Sequence, residues 1–112
     1  MNLCAGDIVT VDFPGVTGIK RCPAVVLSAE IYHSIRPDVI VGLITTQAKI
    51  VGATDYRLQA WAMAGLRTTS IFRCFIVTLP LSANLVVICH LSERDWQGVK
   101  ACVKTSLTRL EP

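Results

Sequence analysis

The chain has 112 residues, 52% of them hydrophobic and only 17% charged, with a formal net charge of +3 at pH 7 and a mean hydropathy of +0.52. That length makes a single domain with a real core, and no apolar run approaches the roughly 18–20 residues of a membrane-spanning helix; the longest candidate, Leu79 to Leu91, contains Pro80, Ser82, Asn84 and His90. The weak basic surplus permits an anionic partner without demanding one, and the apolar surplus predicts a face covered by a second copy, a homodimer.

Met1 to Asp7 has neither a basic start nor a long apolar stretch, so it is not a signal peptide. The five cysteines are scattered, odd in number and never arranged as Cys-x-x-Cys. They read as reduced thiols packed in a cytoplasmic protein, with no zinc site, no disulfide framework and no cofactor.

In chain order, Gly6-Asp7 opens a strand from Ile8 to Phe13, where apolar and polar residues partly alternate. Pro14 and Gly15 end it, and Gly18 extends a loop that closes with Lys20-Arg21. Pro23 to Ser28 reads as a second strand, with proline tolerated at its first position. Ala29 to Pro37 is a connection. Asp38 to Thr45 is apolar on both faces and therefore central. Thr54 to Leu58 is a short strand, and Gln59 to Ala64 a helical turn stopped by Gly65. Thr69 to Leu79 and Leu85 to His90 supply two more strands. Only the carboxyl terminus reads as helix: Ser92-Glu93-Arg94-Asp95 has the form of a capping box, and Trp96, Val99, Val103 and Leu107 share one face. The order predicts a mainly β fold, a small barrel of five to seven strands closed by one helix.

Arg73 lies in the middle of the most apolar stretch, Ser70 to Leu79. An arginine cannot lose its proton, so burying it unpaired is very costly. It must emerge at an edge, pair with a carboxylate, or point into a groove that receives an anion.

Five segments in succession resemble the PemK/MazF-type toxins: Gly6-Asp7-Ile8-Val9, Lys20 to Ser28, Leu43-Ile44-Thr45-Thr46-Gln47, Gly65 to Cys74, and His90 to Asp95. The fourth is similar to the arginine-bearing strand of the PemK/Kid branch. The resemblance implies an SH3-like barrel, homodimeric, that cleaves single-stranded mRNA without a metal, leaving a 2′,3′-cyclic phosphate and a 5′-hydroxyl. It also implies an antitoxin partner whose flexible tail lies in the RNA groove. Such a reaction needs a group to take the 2′-hydroxyl proton and another to protonate the 5′-oxygen. Fixed cations or donors must meet the charge that builds on the phosphoryl oxygens, a task for which the arginine fork is well shaped.

Carried over position by position, the resemblance makes Arg73 the catalytic arginine and Thr45 a hydroxyl beside the scissile phosphate. Thr46 and Gln47 become sugar or base contacts. Taken alone, Arg73 has the alternative reading of an edge-strand gatekeeper, and Thr45 reads as an ordinary strand end. Two departures stand out. The family's usual arginine before the second-strand proline is Cys22 here, and Arg21, one residue earlier, leaves the opposite face of a regular strand. Arg21 serves catalysis only if the loop ends there or the strand bulges; otherwise Lys20 and Arg21 steer RNA electrostatically or are simply solvated. The branch's aspartate two residues after the catalytic arginine is Phe75, which cannot move a proton.

Asp12, beside the Gly-rich loop, is either a substrate contact or a turn cap. His33 and His90 are candidates for proton transfer by residue type; the alternative is that His90 supports the corner before the helix and that His33 merely lies in a connection. Trp96 is core, and Trp61 packs beneath its turn or stacks on a base. Three functions therefore stay open: a toxin endoribonuclease, a catalytically degenerate relative that binds nucleic acid or an antitoxin peptide in the same groove, and an unrelated interaction barrel.

Overall fold

The computed structural model describes residues 3–15, 18–46, 52–81 and 83–107, the first segment without the side chains of 13–15. Six strands and two helices follow one another: β1 (Asp7–Gly15), β2 (Gly18–Val26), α1 (Glu30–Ile35), β3 (Asp38–Thr45), β4 (Asp55–Arg57), β5 (Ile71–Pro80), β6 (Val86–His90) and α2 (Glu93–Ser106). The strands form one antiparallel sheet in the order β4-β5-β3-β2-β1-β6. The doubly apolar β3 is interior, as its sequence predicts. The fold is mainly β with a C-terminal helix, and the strand count falls in the expected range. The sheet is not closed, so the shape is barrel-like, with β4 and β6 at its edges.

Alternation along the strands sends neighbours to opposite faces, and both faces are covered. Val9, Val11, Ala24, Val26, Val39 and Val41 form one core with Leu3 and Leu85. Ile8, Val25, Ile44 and Phe72 form the other, beneath Leu58, Ala64, Leu91 and the α2 residues Val99 and Cys102. Burial on both faces is why the strand sequences read as nearly continuous apolar runs. Fully burying each of these valines contributes about 1.5–3 kcal/mol.

Three expectations change. β2 begins at Gly18, so Lys20 and Arg21 stand in the strand: their pairing with Phe13 and Asp12 continues the hairpin ladder past the glycines. The connection after β2 contains α1, a single exposed helical stretch with no side-chain cap. Leu107 is the C-cap of α2 and is exposed rather than buried.

Asp95 is also more than a capping residue. Its backbone N–H donates to the Ser92 hydroxyl (3.1 Å), as the capping box predicts. Its fully buried carboxylate accepts from the Tyr56 hydroxyl (2.8 Å) and from the backbone N–H groups of Gln59 and Ala60 (both 2.9 Å). Burial pushes this carboxyl up, but the bonds from Ala60, Gln59, Tyr56 and Ser92 outweigh it and hold the acid below its ordinary value. Burial, then the bond to Asp95, pushes the Tyr56 phenol up to about 12. Tyr56 packs against α2 at Gly98, where any side chain would collide with its ring. Among the described residues, no helix is long and apolar enough to cross a membrane.

Candidate nucleic-acid groove

Asp95 fixes the start of the segment that matters most. From Gln59 and Ala60 the chain makes the expected helical turn, closed by Ala64 N–H to Ala60 C=O (3.1 Å) and Leu66 N–H to Trp61 C=O (3.1 Å). Gly65 ends the turn at φ +83°, where a side chain is strained. The Cys89 thiol donates to the Met63 carbonyl (3.0 Å), tying the turn to β6. Trp61 packs against the second core. Gly65, Leu66, Arg67, Thr68 and Ser70 then become one wall of a groove.

The groove holds about 550 Å³. Its other walls are Lys20, Arg21, Cys22 and Pro23 of β2, and Leu43, Ile44, Thr45 and Thr46 at the end of β3; Thr10, Phe75 and Ile88 complete it. The lining comes from both sheet faces: Arg21 bonds Thr10, whereas Cys22 and Leu43 pack on the first core. Lys20, Arg21 and Arg67 make its described lining cationic, and no carboxylate or imidazole is part of it. Thr10, Thr45, Thr46, Thr68 and Ser70 bring hydroxyls over an apolar floor. The buried Ser70 hydroxyl donates to the Thr68 carbonyl (2.9 Å), bracing that wall. A concave, cationic, hydroxyl-rich site with an apolar floor suits a phosphate-linked chain of bases.

Of the residues singled out by sequence, Lys20, Arg21, Thr45 and Thr46 meet in this groove. Neither condition expected of Arg21 holds, since β2 starts at Gly18 and pairs with β1 in regular register; Arg21 lines the groove because residues of both sheet faces do. Asp12 does not line it; its carboxylate accepts from Arg21 Nη1 (3.3 Å), while Arg21 Nη2 donates to the Thr10 hydroxyl (3.0 Å). Gln47 lies outside the described residues. The expectation that Arg73 projects into one cleft with Thr45 is not met. Arg73 stands opposite Asp55 in the β4–β5 ladder and donates to both its carboxylate oxygens (Nε 3.3 Å, Nη2 3.4 Å). It is absent from the groove lining. A carboxylate one strand away is the nearest cure for a cation in an apolar strand.

Neither described histidine lines the groove. His33 bonds Ser28 Oγ (2.6 Å) and the Leu3 carbonyl (3.2 Å), and His90 bonds Asp7 (2.7 Å), holding the corner before α2. Sequence reasoning missed Arg67, Thr68 and Ser70 as groove residues. The signal was present in the cluster of one arginine and several hydroxyls directly after a glycine stop. Phe75, at the position that the resemblance gives to the branch's aspartate, lines the groove; the ladder bulges beside it, Gly42 pairing with Ile76 and Ile44 with Phe72, so that Arg73, Cys74 and Phe75 share the single opposite residue Leu43.

This fold recurs in known toxins. An endoribonuclease in complex with its cognate antitoxin, from a mycobacterial species, superposes with TM-score 0.78 over 99% of this chain and 100% of its own, at 16% identity. The MazE–MazF complex (form II) of Deinococcus radiodurans gives 0.73 over 94% of each chain at 19% identity. The Mycobacterium tuberculosis toxin MazF-mt6 gives 0.73 over 88% of this chain and 93% of its own at 22% identity. No curated protein sequence matches the chain. The family described as PemK-like, MazF-like toxin of type II toxin–antitoxin system matches residues 5–107, nearly the whole length. The chain belongs to that family.

Proposed function

We propose that this protein is the toxin of a type II toxin–antitoxin pair and a metal-independent endoribonuclease acting on single-stranded mRNA in the cytoplasm. The observation that carries the reading is one groove holding Arg21 and Thr45 together with Lys20 and Arg67. A phosphodiester lying there has cations around its non-bridging oxygens and a threonine hydroxyl to fix it. The ribose 2′-oxygen attacks the adjacent phosphorus, the bond to the 5′-oxygen breaks, and a 2′,3′-cyclic phosphate and a 5′-hydroxyl result. Arg21 meets the charge that develops on the phosphoryl oxygens. Asp12, bonded to Arg21, is the carboxylate to which we assign the 2′-hydroxyl proton, taken directly or through one water; solvent protonates the 5′-oxygen. Arg73 joins as a second phosphate ligand only when the phosphate displaces Asp55.

The same cationic groove accepts an acidic antitoxin tail, which would compete with RNA. A second copy of the chain covers the half-exposed Val86, Val87 and Ile88 on the edge strand β6. A second reading, a degenerate toxin that binds RNA or antitoxin without cutting, is favoured by the lack of a carboxylate or imidazole in the described lining. Incubating the protein with single-stranded RNA in EDTA separates the two. Fragments ending in cyclic phosphate, lost in Arg21→Ala and Thr45→Ala, support the nuclease. Intact RNA with salt-sensitive binding supports the degenerate relative.

A further inference from the structure

We infer that Phe75 is a base-stacking platform, taking the nucleobase of a nucleotide whose phosphate is held by the groove's cations; this rests on the reading of the groove as an RNA site. Two phenylalanines of the same strand make the contrast. Phe72 is fully buried in the second core, whereas Phe75, three residues on, is 49% exposed. Leaving so large an aromatic surface in water is unfavourable. The two extra residues at the bulge opposite Leu43 keep the alternation in step: Phe72 and Cys74 pack on the second core, Val77 and Leu79 on the first, and Phe75 shares the parity of the latter two. Here Phe75 lines the groove, and it is the one aromatic in the described lining.

Its companions define the ligand class. Lys20, Arg21 and Arg67 supply positive charge for phosphates, while Phe75 offers the flat apolar face that a base needs. Cations beside an aromatic form the usual platform for single strands, and stacking tolerates any base because each has a π-face. At about 550 Å³ the groove has room for a nucleotide rather than a duplex. A residue that cannot move a proton thus has a binding task, and it contributes affinity rather than chemistry.

The test measures binding of a short single-stranded RNA and of the same backbone carrying abasic sites. It uses the wild-type protein and the Phe75→Ala, Phe75→Leu and Phe75→Trp variants, over a series of salt concentrations. Removing a stacking partner should weaken binding of the base-bearing RNA by roughly 5- to 150-fold in Phe75→Ala. Phe75→Leu, which keeps the apolar bulk, should lose most of the same affinity. Phe75→Trp should retain it, with its indole fluorescence quenched by RNA. The abasic strand should bind all four proteins alike, and the salt slope should not change. Equal losses on both strands would overturn the inference, as would loss of a dimer in Phe75→Ala without loss of RNA binding per protomer. Wild-type protein that binds neither strand would instead remove the RNA reading of the groove, and the platform with it.

Discussion

The β1–β2 hairpin and the β4–β5 edge each carry an arginine on a carboxylate, and the two pairs behave differently. Arg21 and Arg73 are almost equally exposed, 36% and 39%, and each approaches its partner at 3.3 Å. Their partners differ. Asp12 is 44% exposed and takes one bond, the second going to Thr10; Asp55 is 10% exposed and takes two. An exposed pair contributes about 0–1 kcal/mol, so a phosphate can replace Asp12 with little loss. Displacing Asp55 leaves a mostly buried carboxylate without its cation, which is costly. The availability of a cation is set by the burial of the acid it would have to leave.

The comparison breaks most sharply in cleavage kinetics. Arg21→Ala should lower kcat/KM on single-stranded RNA by about 10²–10³-fold, the usual cost of removing one group that meets transition-state charge. Arg73→Ala should cost about tenfold or less. Single-turnover cleavage of a labelled RNA measures both. A larger loss in Arg73→Ala would reverse the ranking and mean that RNA does displace Asp55.

The groove wall can be loosened without touching a groove residue. Asp95→Ala leaves the Gln59 and Ala60 N–H groups and the Tyr56 hydroxyl unpaired, at a cost of about 2–3 kcal/mol in urea unfolding. RNA binding should weaken with it, because Gly65 to Ser70 follow that anchor. The pH dependence has a definite sign. Asp95 sits below its ordinary value when folded, so its contribution is present above about pH 4 and disappears as pH falls through the folded value. Tyr56 is raised to about 12, so its contribution is whole below about pH 10 and disappears as pH rises towards 12. Asp95→Asn should flatten the acid limb, and wild-type stability that does not fall below pH 4 would contradict the assignment.

Asp55→Asn tests the other side. It removes the charge that holds Arg73, at a cost of about 1 kcal/mol in stability. If burial of Asp55 is what withholds Arg73, RNA binding should tighten by a few-fold in this variant. Unchanged affinity, measured by fluorescence anisotropy, would mean that Arg73 is too far from the RNA path to matter.

Much of this arrangement was legible before any coordinates. Period-two patterning marked the strands, and double-sided apolarity marked β3 as interior. The basic pair and Thr45-Thr46 were placed together by resemblance. What escaped had physical reasons. Helix α1 has no buried residue and no side-chain cap, so it leaves neither periodicity nor a start signal. Asp95 reads as a surface capping acid because its partners, Tyr56, Gln59 and Ala60, are more than thirty positions away. Arg73 was open to three fates, and the choice depended on Asp55 arriving opposite it. Phe75 was legible only as the residue standing where the resemblance expects an aspartate, since exposure beside a groove leaves no mark on the pattern of a single strand.

The finest test of the comparison is the salt dependence of binding, which counts phosphate contacts rather than energies. Each contact with a single strand contributes about 0.7 to the slope of log affinity against log salt. Arg67 is exposed and lines the groove, so Arg67→Ala should lower the slope by about 0.7. Lys20→Ala should do the same. Arg73→Ala should leave the slope unchanged, since a cation already neutralised by Asp55 releases no counterion when RNA binds. In an Asp55→Asn background, Arg73→Ala should acquire the slope change that it lacks in the wild type. Titrations of one oligonucleotide at several salt concentrations decide this. A slope that drops for Arg73→Ala in the wild-type protein would show the Asp55 pair opening on binding, and the distinction between the two arginines would then lie only in the free protein.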